Sequence, residues 1–309
     1  MDALDVRIIR AMGIRPYDRR AKPPEALKPS NIAGAVDASV VTVKERIARM
    51  EDVGVIAGYQ IFPNLRHLDL GARGYFLRIR TEDGKRNAVD AMAGLAGLIE
   101  LHDFLGDGVC ADFAFQGPDE LAEKLAFLSE KSGDASPRRF YDRHMPVVKR
   151  RLSALDWRIL RALRGRARRP LAEVAEAVGV SGRTVKRRYA MMAREGSFFV
   201  VPLLNPAKAE GLILFELLFY LRDPASTATT NAILRAFDEH RVYTYRPASP
   251  ELGTLDMLLF AKSSEEVERL RRQGGAIPGV AKAEAWLFQG FFDHSAWIDD
   301  AIDIRAGRR

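Results

Sequence analysis

One helix-turn-helix passage is written twice in this chain, and that repeat limits its possible folds more than any other feature. Leu4-Asp5-Val6-Arg7-Ile8-Ile9-Arg10-Ala11 returns 151 positions later as Leu155-Asp156-Trp157-Arg158-Ile159-Leu160-Arg161-Ala162. Thr42-Val43-Lys44-Glu45-Arg46 returns 142 positions later as Thr184-Val185-Lys186-Arg187-Arg188. Self-similarity at a nearly fixed spacing means two similar halves. The first copy carries the extra residues between its two motifs, and Gly71 answers Gly211 as Asp112 answers Asp256. A length of 309 residues suits two such halves, or four small modules.

Apolar residues at helical spacing predict a helix over 1–12, with Leu4, Ile8 and Ala11 on one face. Residues 13–30 read as a proline-rich, basic insertion that the second copy lacks, with Ser30 expected to cap the next helix. A short helix over 31–36, a turn at 37–39 and a longer helix over 40–50 follow, the last with Val43, Ile47 and Met50 inward and Gly54 as its stop. The second copy gives helices over 154–164, 171–178 and 182–194, with Val185, Tyr189 and Met192 inward and a stop at Gly196. A short strand after each, 55–62 and 198–204, predicts a winged motif.

Strand and helix patterns then alternate in both halves. The first half shows strand 71–80, helix 87–97, strands within 99–116 and helix 119–132; its last strand must come from 139–148, rich in charge and proline. The second half shows strand 212–222, helix 227–240, strands within 242–261, helix 265–274 and a clear strand at 281–292. The order βαββαβ is the ferredoxin-like split unit. The expected class is α+β: a tandem repeat of a winged helix-turn-helix followed by a ferredoxin-like effector domain. The expected boundaries are 1–64, 65–136, a basic linker or final strand at 137–153, 154–206 and 207–309.

Charge says where a partner would bind. From Ala154 to Pro202 eleven basic residues face four acids, an excess equal to the whole chain's net +7. Such clustering is the footprint of a polyanion. In a helix-turn-helix the second helix enters the major groove, so its outward side chains meet bases and phosphates. The candidate DNA contacts are Arg183, Thr184, Lys186, Arg187, Arg188 and Arg194, with Thr42, Lys44, Arg46 and Arg49 as first-copy counterparts beside Glu45 and Glu51. The bland alternatives are a solvated basic face and a protein-docking module. Arg138, Arg139, Arg143, Lys149, Arg150 and Arg151 in the linker could follow a phosphate backbone or simply be solvated.

Other chemistry finds little support. Lone Cys110 excludes an intrachain disulfide and reads as a small core residue. The five histidines are scattered, so no metal or other cofactor is expected. There is no nucleophile elbow or phosphate loop, and Gly106-Asp107-Gly108 is a turn signal. Leu212 to Leu221, broken by Glu216, is too short to cross a membrane, and the acidic start is unlike a signal peptide, so a cytoplasmic protein is expected.

These residues resemble the Lrp/AsnC feast-or-famine regulators. The resemblance rests on Leu4-Asp5, Ile8, Ile32-Ala33, Val36, Ser39, Thr42-Val43, Arg46-Ile47, Met50-Glu51, Gly54-Val55-Ile56 and Gly58-Tyr59 in the first half. In the second half it rests on Leu155-Asp156, Ile159-Leu160, Leu171, Val174-Ala175, Val178-Gly179-Val180-Ser181, Thr184-Val185, Arg188 and Glu195-Gly196. It implies two such subunits fused, double-stranded DNA as partner, and a small-molecule effector such as an amino acid. It also implies self-association through the effector domains, by sheet faces that Leu77, Ile79, Leu217 and Phe219 help to cover. Gly106, Asp107, Asp112 and Asp256 are the candidate effector residues, though the loop 249–256 departs from the family pattern. The sirohaem decarboxylases resemble the same architecture and form the rival reading, with His102, Asp103, Tyr243, Tyr245 and Arg246 as its partial match.

Overall fold

The computed structural model describes residues 1–13, 27–134, 137–143, 145–205, 208–245 and 253–307. Most of the predicted insertion, together with Arg246 and the first half of the 249–256 loop, lies outside the described residues, as does the Tyr245 side chain. The chain divides into two compact units, each assembled from distant segments: 1–10, 72–142 and 206–294 in one, and 11–71, 143–205 and 295–309 in the other.

The first unit holds one eight-stranded sheet. Its strands are β2 (Gly71–Arg78), β3 (Leu98–Phe104), β4 (Gly108–Phe115), β5 (Arg138–Asp142), β7 (Ile213–Leu221), β8 (Arg241–Tyr245), β9 (Thr254–Ala261) and β10 (Val280–Asp293). The order β5-β2-β4-β3-β10-β7-β9-β8 contains the same four-strand arrangement twice. Helices α4 (Glu82–Met92) and α5 (Gly117–Ser132) connect the first set, α9 (Thr227–Ala236) and α10 (Ser264–Gly275) the second. This is a duplicated ferredoxin-like unit. The weak final strand of the first half exists but is five residues long, whereas its counterpart β10 has fourteen. That length lets β10 pair with β7 over its first part and, past a register shift near Gly290, with β3 over its last.

Each half-sheet buries one face under its own helices: Leu77, Ile79, Met92, Phe113 and Leu128 on one side, Leu217, Phe219, Ile233, Phe237 and Leu270 on the other. The expectation that Leu77, Ile79, Leu217 and Phe219 cover the pairing surface is therefore off by one residue, because alternate side chains of a strand point to opposite faces. The surface shared by the two halves carries Phe76, Phe104, Cys110, Phe140, Tyr141, Leu218 and Trp286. Ring centroids of Phe76 and Trp286 lie 4.7 Å apart, edge to face. The packing is tight enough to require a glycine: a Cβ at Gly108 would sit 2.7 Å from Trp286 and 2.9 Å from Phe76.

The second unit holds α2 (Pro29–Val36), α3 (Val40–Asp52), β1 (Ile56–Pro63), α6 (Ala154–Leu163), α7 (Leu171–Val178), α8 (Gly182–Arg194), β6 (Phe198–Leu204) and α11 (Trp297–Arg305). The remaining helix, α1 (Ala3–Met12), opens the chain. Ser30 does not cap α2. Pro29 forces the preceding Lys28 into extended backbone, so the helix starts at Pro29 and Ser30 falls inside its first turn. The two strands expected after the recognition helices are present as β1 and β6. β1 and β6 pair antiparallel with each other, Gln60 opposite Val201 and Phe62 opposite Phe199. One further helix that the repeat pattern does not mark, α11, buries Ile298 and Ile302 and lies against α6.

Candidate nucleic-acid interface

The turn before each recognition helix is built alike. Ser181 caps α8 by accepting from the Thr184 backbone N–H, and its hydroxyl lies 2.9 Å from the Thr184 hydroxyl. Ser39 does the same for Thr42, at 2.8 Å between hydroxyls. The chain reaches each cap through a residue in left-handed backbone, Gly179 (φ 71°) in one copy and Asp37 (φ 52°) in the other. Thr184 and Thr42, expected at DNA, thus spend their hydroxyls on the caps and are half-buried.

Val185 and Met192 fix the inner face of α8 in the core, and half-buried Tyr189 packs against Phe198 with the two rings tilted. The opposite face presents Arg183, Lys186, Arg187 and Arg194 to solvent. Among the described residues none of these four has a protein partner. Arg188 differs: its guanidinium donates to the carboxylate of Asp156 at 3.0 Å and to the Ser153 hydroxyl at 3.1 Å. Asp156 is fully buried at the start of α6, in a reciprocal cap with Ser153, and also accepts from Arg150. Burial pushes its carboxyl up, but hydrogen bonds from Ser153, Arg188 and Arg150 outweigh it and hold the group below the usual carboxylate range. Arg188 therefore fastens the recognition helix to α6.

The linker cations are divided. Arg150 bridges Asp156 and Glu195, Arg139 pairs with Asp142, and Arg138 donates to the Tyr220 hydroxyl while lying over the Phe76 ring. Arg143 is buried, whereas Lys149 and Arg151 are exposed. In the first copy Lys44 and Arg49 are exposed and Arg46 is half-buried; Glu51 accepts from the Tyr59 hydroxyl and from Arg168.

The effector candidates are not brought together. Asp107 is bound to Arg78 at 3.2 Å, and the carbonyl of Gly106 is held by the buried Lys85 ammonium at 2.7 Å. Asp112 is buried and accepts from the Tyr141 hydroxyl at 3.0 Å; Asp256 is buried on β9, opposite Leu218. Of the rival set, His102 is fully buried, its two ring nitrogens 3.6 Å from Glu100 and Glu216. Asp103 pairs with Lys85, and Tyr243 packs against the aromatic layer between the half-sheets. No group of acidic, histidine or cysteine side chains suited to a metal occurs among the described residues.

Residues 152–192 match the AsnC-type helix-turn-helix domain, so the second copy contains a helix-turn-helix of that type. No curated protein sequence matches the chain. The structure is similar over 99% of its length, and 99% of the other chain's, to the siroheme decarboxylase NirDL, with 12% identity and a TM-score of 0.58. That likeness is one of fold. E. coli AsnC and the Mycobacterium tuberculosis leucine response regulatory protein each match 45% of this chain and 93% of their own, at 20% identity and TM-scores of 0.37 and 0.35.

Proposed function

We infer that this protein is a DNA-binding transcriptional regulator whose second helix-turn-helix does the reading, with α8 in the major groove. The observation that carries this is the set of four exposed cations on α8 that have no partner among the described residues, three of them within the AsnC-type domain. A solvent-facing cation row without acids costs self-repulsion in the free protein, and phosphates relieve it. The duplicated ferredoxin-like unit supplies the pairing surface that separate subunits would otherwise provide, and any small-molecule effector, an amino acid included, would act on that unit. Selection of bound duplexes from a random pool tests the reading. Enrichment of a motif whose binding weakens in Arg187→Ala, with a salt dependence shallower by about one ion, supports it. No enrichment at low salt removes it.

A second reading, a decarboxylase acting on sirohaem, draws on the full-length fold likeness and on His102 and Tyr243. Against it, the layer between the half-sheets is occupied by Phe76, Phe104, Trp286 and Phe288, which a macrocycle would have to displace. Titration with an iron tetrapyrrole decides this: a bound spectrum and release of carbon dioxide would replace the regulator reading.

A further inference from the structure

Ser39 and Ser181, Thr42 and Thr184, Val43 and Val185, Met50 and Met192, Gly54 and Gly196 all stand at one spacing of 142 residues. The pairs include both caps and both helix stops, so α3 and α8 can be compared position by position. Where α8 exposes Arg183, α3 exposes Val41; where α8 has Arg187, α3 has Glu45; where α8 has Arg194, α3 has Asp52. Only Lys186 keeps its charge, as Lys44. Arg49, at the place of Met191, adds one cation to the first copy. The exposed set thus falls from four positive charges on α8 to a neutral mixture on α3. Val41 is left 65% exposed.

The first copy gives its other polar groups to the second. Glu51 accepts from Arg168 of the α6–α7 loop at 2.7 Å, and that guanidinium stacks 3.7 Å over the Tyr59 ring. Asn64 donates to the carbonyls of Gly196, at the end of α8, and of Pro146, both at 3.0 Å. β1 pairs with β6 along its length, and Gln60 and the Ile61 carbonyl accept from Arg164.

We propose that one chain reads one half-site: α8 contacts the DNA, while the first helix-turn-helix is a buttress that fixes α8 and makes no base contacts. The partner is a B-form duplex with a single, unrepeated recognition element. A symmetric dimer of helix-turn-helix proteins instead reads two half-sites about one helical turn apart. Two carboxylates where two guanidiniums stand in the other copy would face phosphates with like charge, and phosphate contact dominates affinity.

This inference rests on the regulator reading, and its test separates the two. Hydroxyl-radical footprinting on the selected duplex should show one protected patch. Lys44→Ala should change the dissociation constant less than about twofold, while Arg187→Ala weakens it about tenfold. The exposed triple graft Val41→Arg, Glu45→Arg, Asp52→Arg should add a second protected patch on a duplex carrying the element twice. Two patches a turn apart in the unmodified protein, or equal losses from Lys44→Ala and Arg187→Ala, would overturn the inference and leave the regulator reading standing. Absence of any footprint would remove both.

Discussion

Arg188 of the recognition helix and Asp156 of the same copy's first helix, α6, form an ion pair at 3.0 Å, with the carboxylate fully buried and the guanidinium about a quarter exposed. The pair holds two helices of the second helix-turn-helix at a fixed angle. Asp156→Asn keeps the shape but leaves Arg188 and Arg150 without their shared anion, and should cost about 2 to 3 kcal/mol in urea unfolding; loss of one partner of a buried pair costs more, and partial exposure here reduces it. Because the folded carboxyl lies below its unfolded value, its contribution is present above about pH 4 and lost as pH falls through the folded value. The difference between wild type and variant should therefore shrink in acid. A constant difference from pH 7 to pH 3 would show that packing, not charge, is responsible.

The sequence pattern places Arg188 toward DNA, whereas the structure binds it to Asp156. Helical spacing places it on the outward side with Arg187, but spacing says nothing of the acid at the start of another helix. The cap residues Ser181 and Thr184 and the inward Val185 and Met192 were legible because their roles are set within a few residues. The pairing of β1 with β6 was not, since each strand alone reads as a wing and the partner lies about 140 residues away. The face of β7 was misread for a different reason: Leu214 to Phe219 is apolar on both sides except at Glu216, so no alternation marks which side meets the other half-sheet. The Trp297–Arg305 helix follows the last recognisable repeat and had no second copy to reveal it.

His67 should make the protein sensitive to mild acid. Burial, and then the nearby positive Arg150, pull its ring down to about 4, against the opposing pull of Glu195 and Asp156. The folded protein keeps the ring neutral while the unfolded chain takes up a proton near pH 6.5. Stability should thus fall between about pH 6.5 and pH 4 and level off below, by at most about 3 kcal/mol from this group. His67→Phe retains the edge contact with Trp157 and should flatten that slope in chemical unfolding curves. A variant with the same slope as wild type would assign the acid sensitivity elsewhere.

Gly108 and Trp286 should behave as one site. The glycine has ordinary backbone angles, so Gly108→Ala is unfavourable through contact alone, a Cβ 2.7 Å from the indole. The expected cost is about 1 to 3 kcal/mol. In a Trp286→Leu background the ring is gone and the alanine should cost clearly less, which a double-mutant cycle by thermal unfolding will read as coupling. Additive losses would mean that Phe76 rather than Trp286 sets the limit.

Two arginines at the C-terminal end of α6, Arg161 within it and Arg164 just after it, both reach α11 and should differ sharply in worth. Arg161 pairs with Asp303 at 2.9 Å, and both side chains are about a third exposed. Water competes for such a pair, so Arg161→Ala should cost no more than about 1 kcal/mol. Arg164 is buried and uses its whole fork: Nε to Asp299 at 2.9 Å, one terminal nitrogen to Gln60 and the Ile61 carbonyl, the other to the Ser295 carbonyl and hydroxyl. A lysine keeps the charge but offers a single point in place of that planar set, so several acceptors lose their donor. Arg164→Lys should therefore cost about 2 to 4 kcal/mol. It should also raise hydrogen exchange over Trp297–Arg305, which Arg161→Ala should leave close to wild type. If the two variants were equally mild, the buried fork would not be what fastens α11 to α6 and β1, and the apolar contacts of Ile298 and Ile302 would have to suffice.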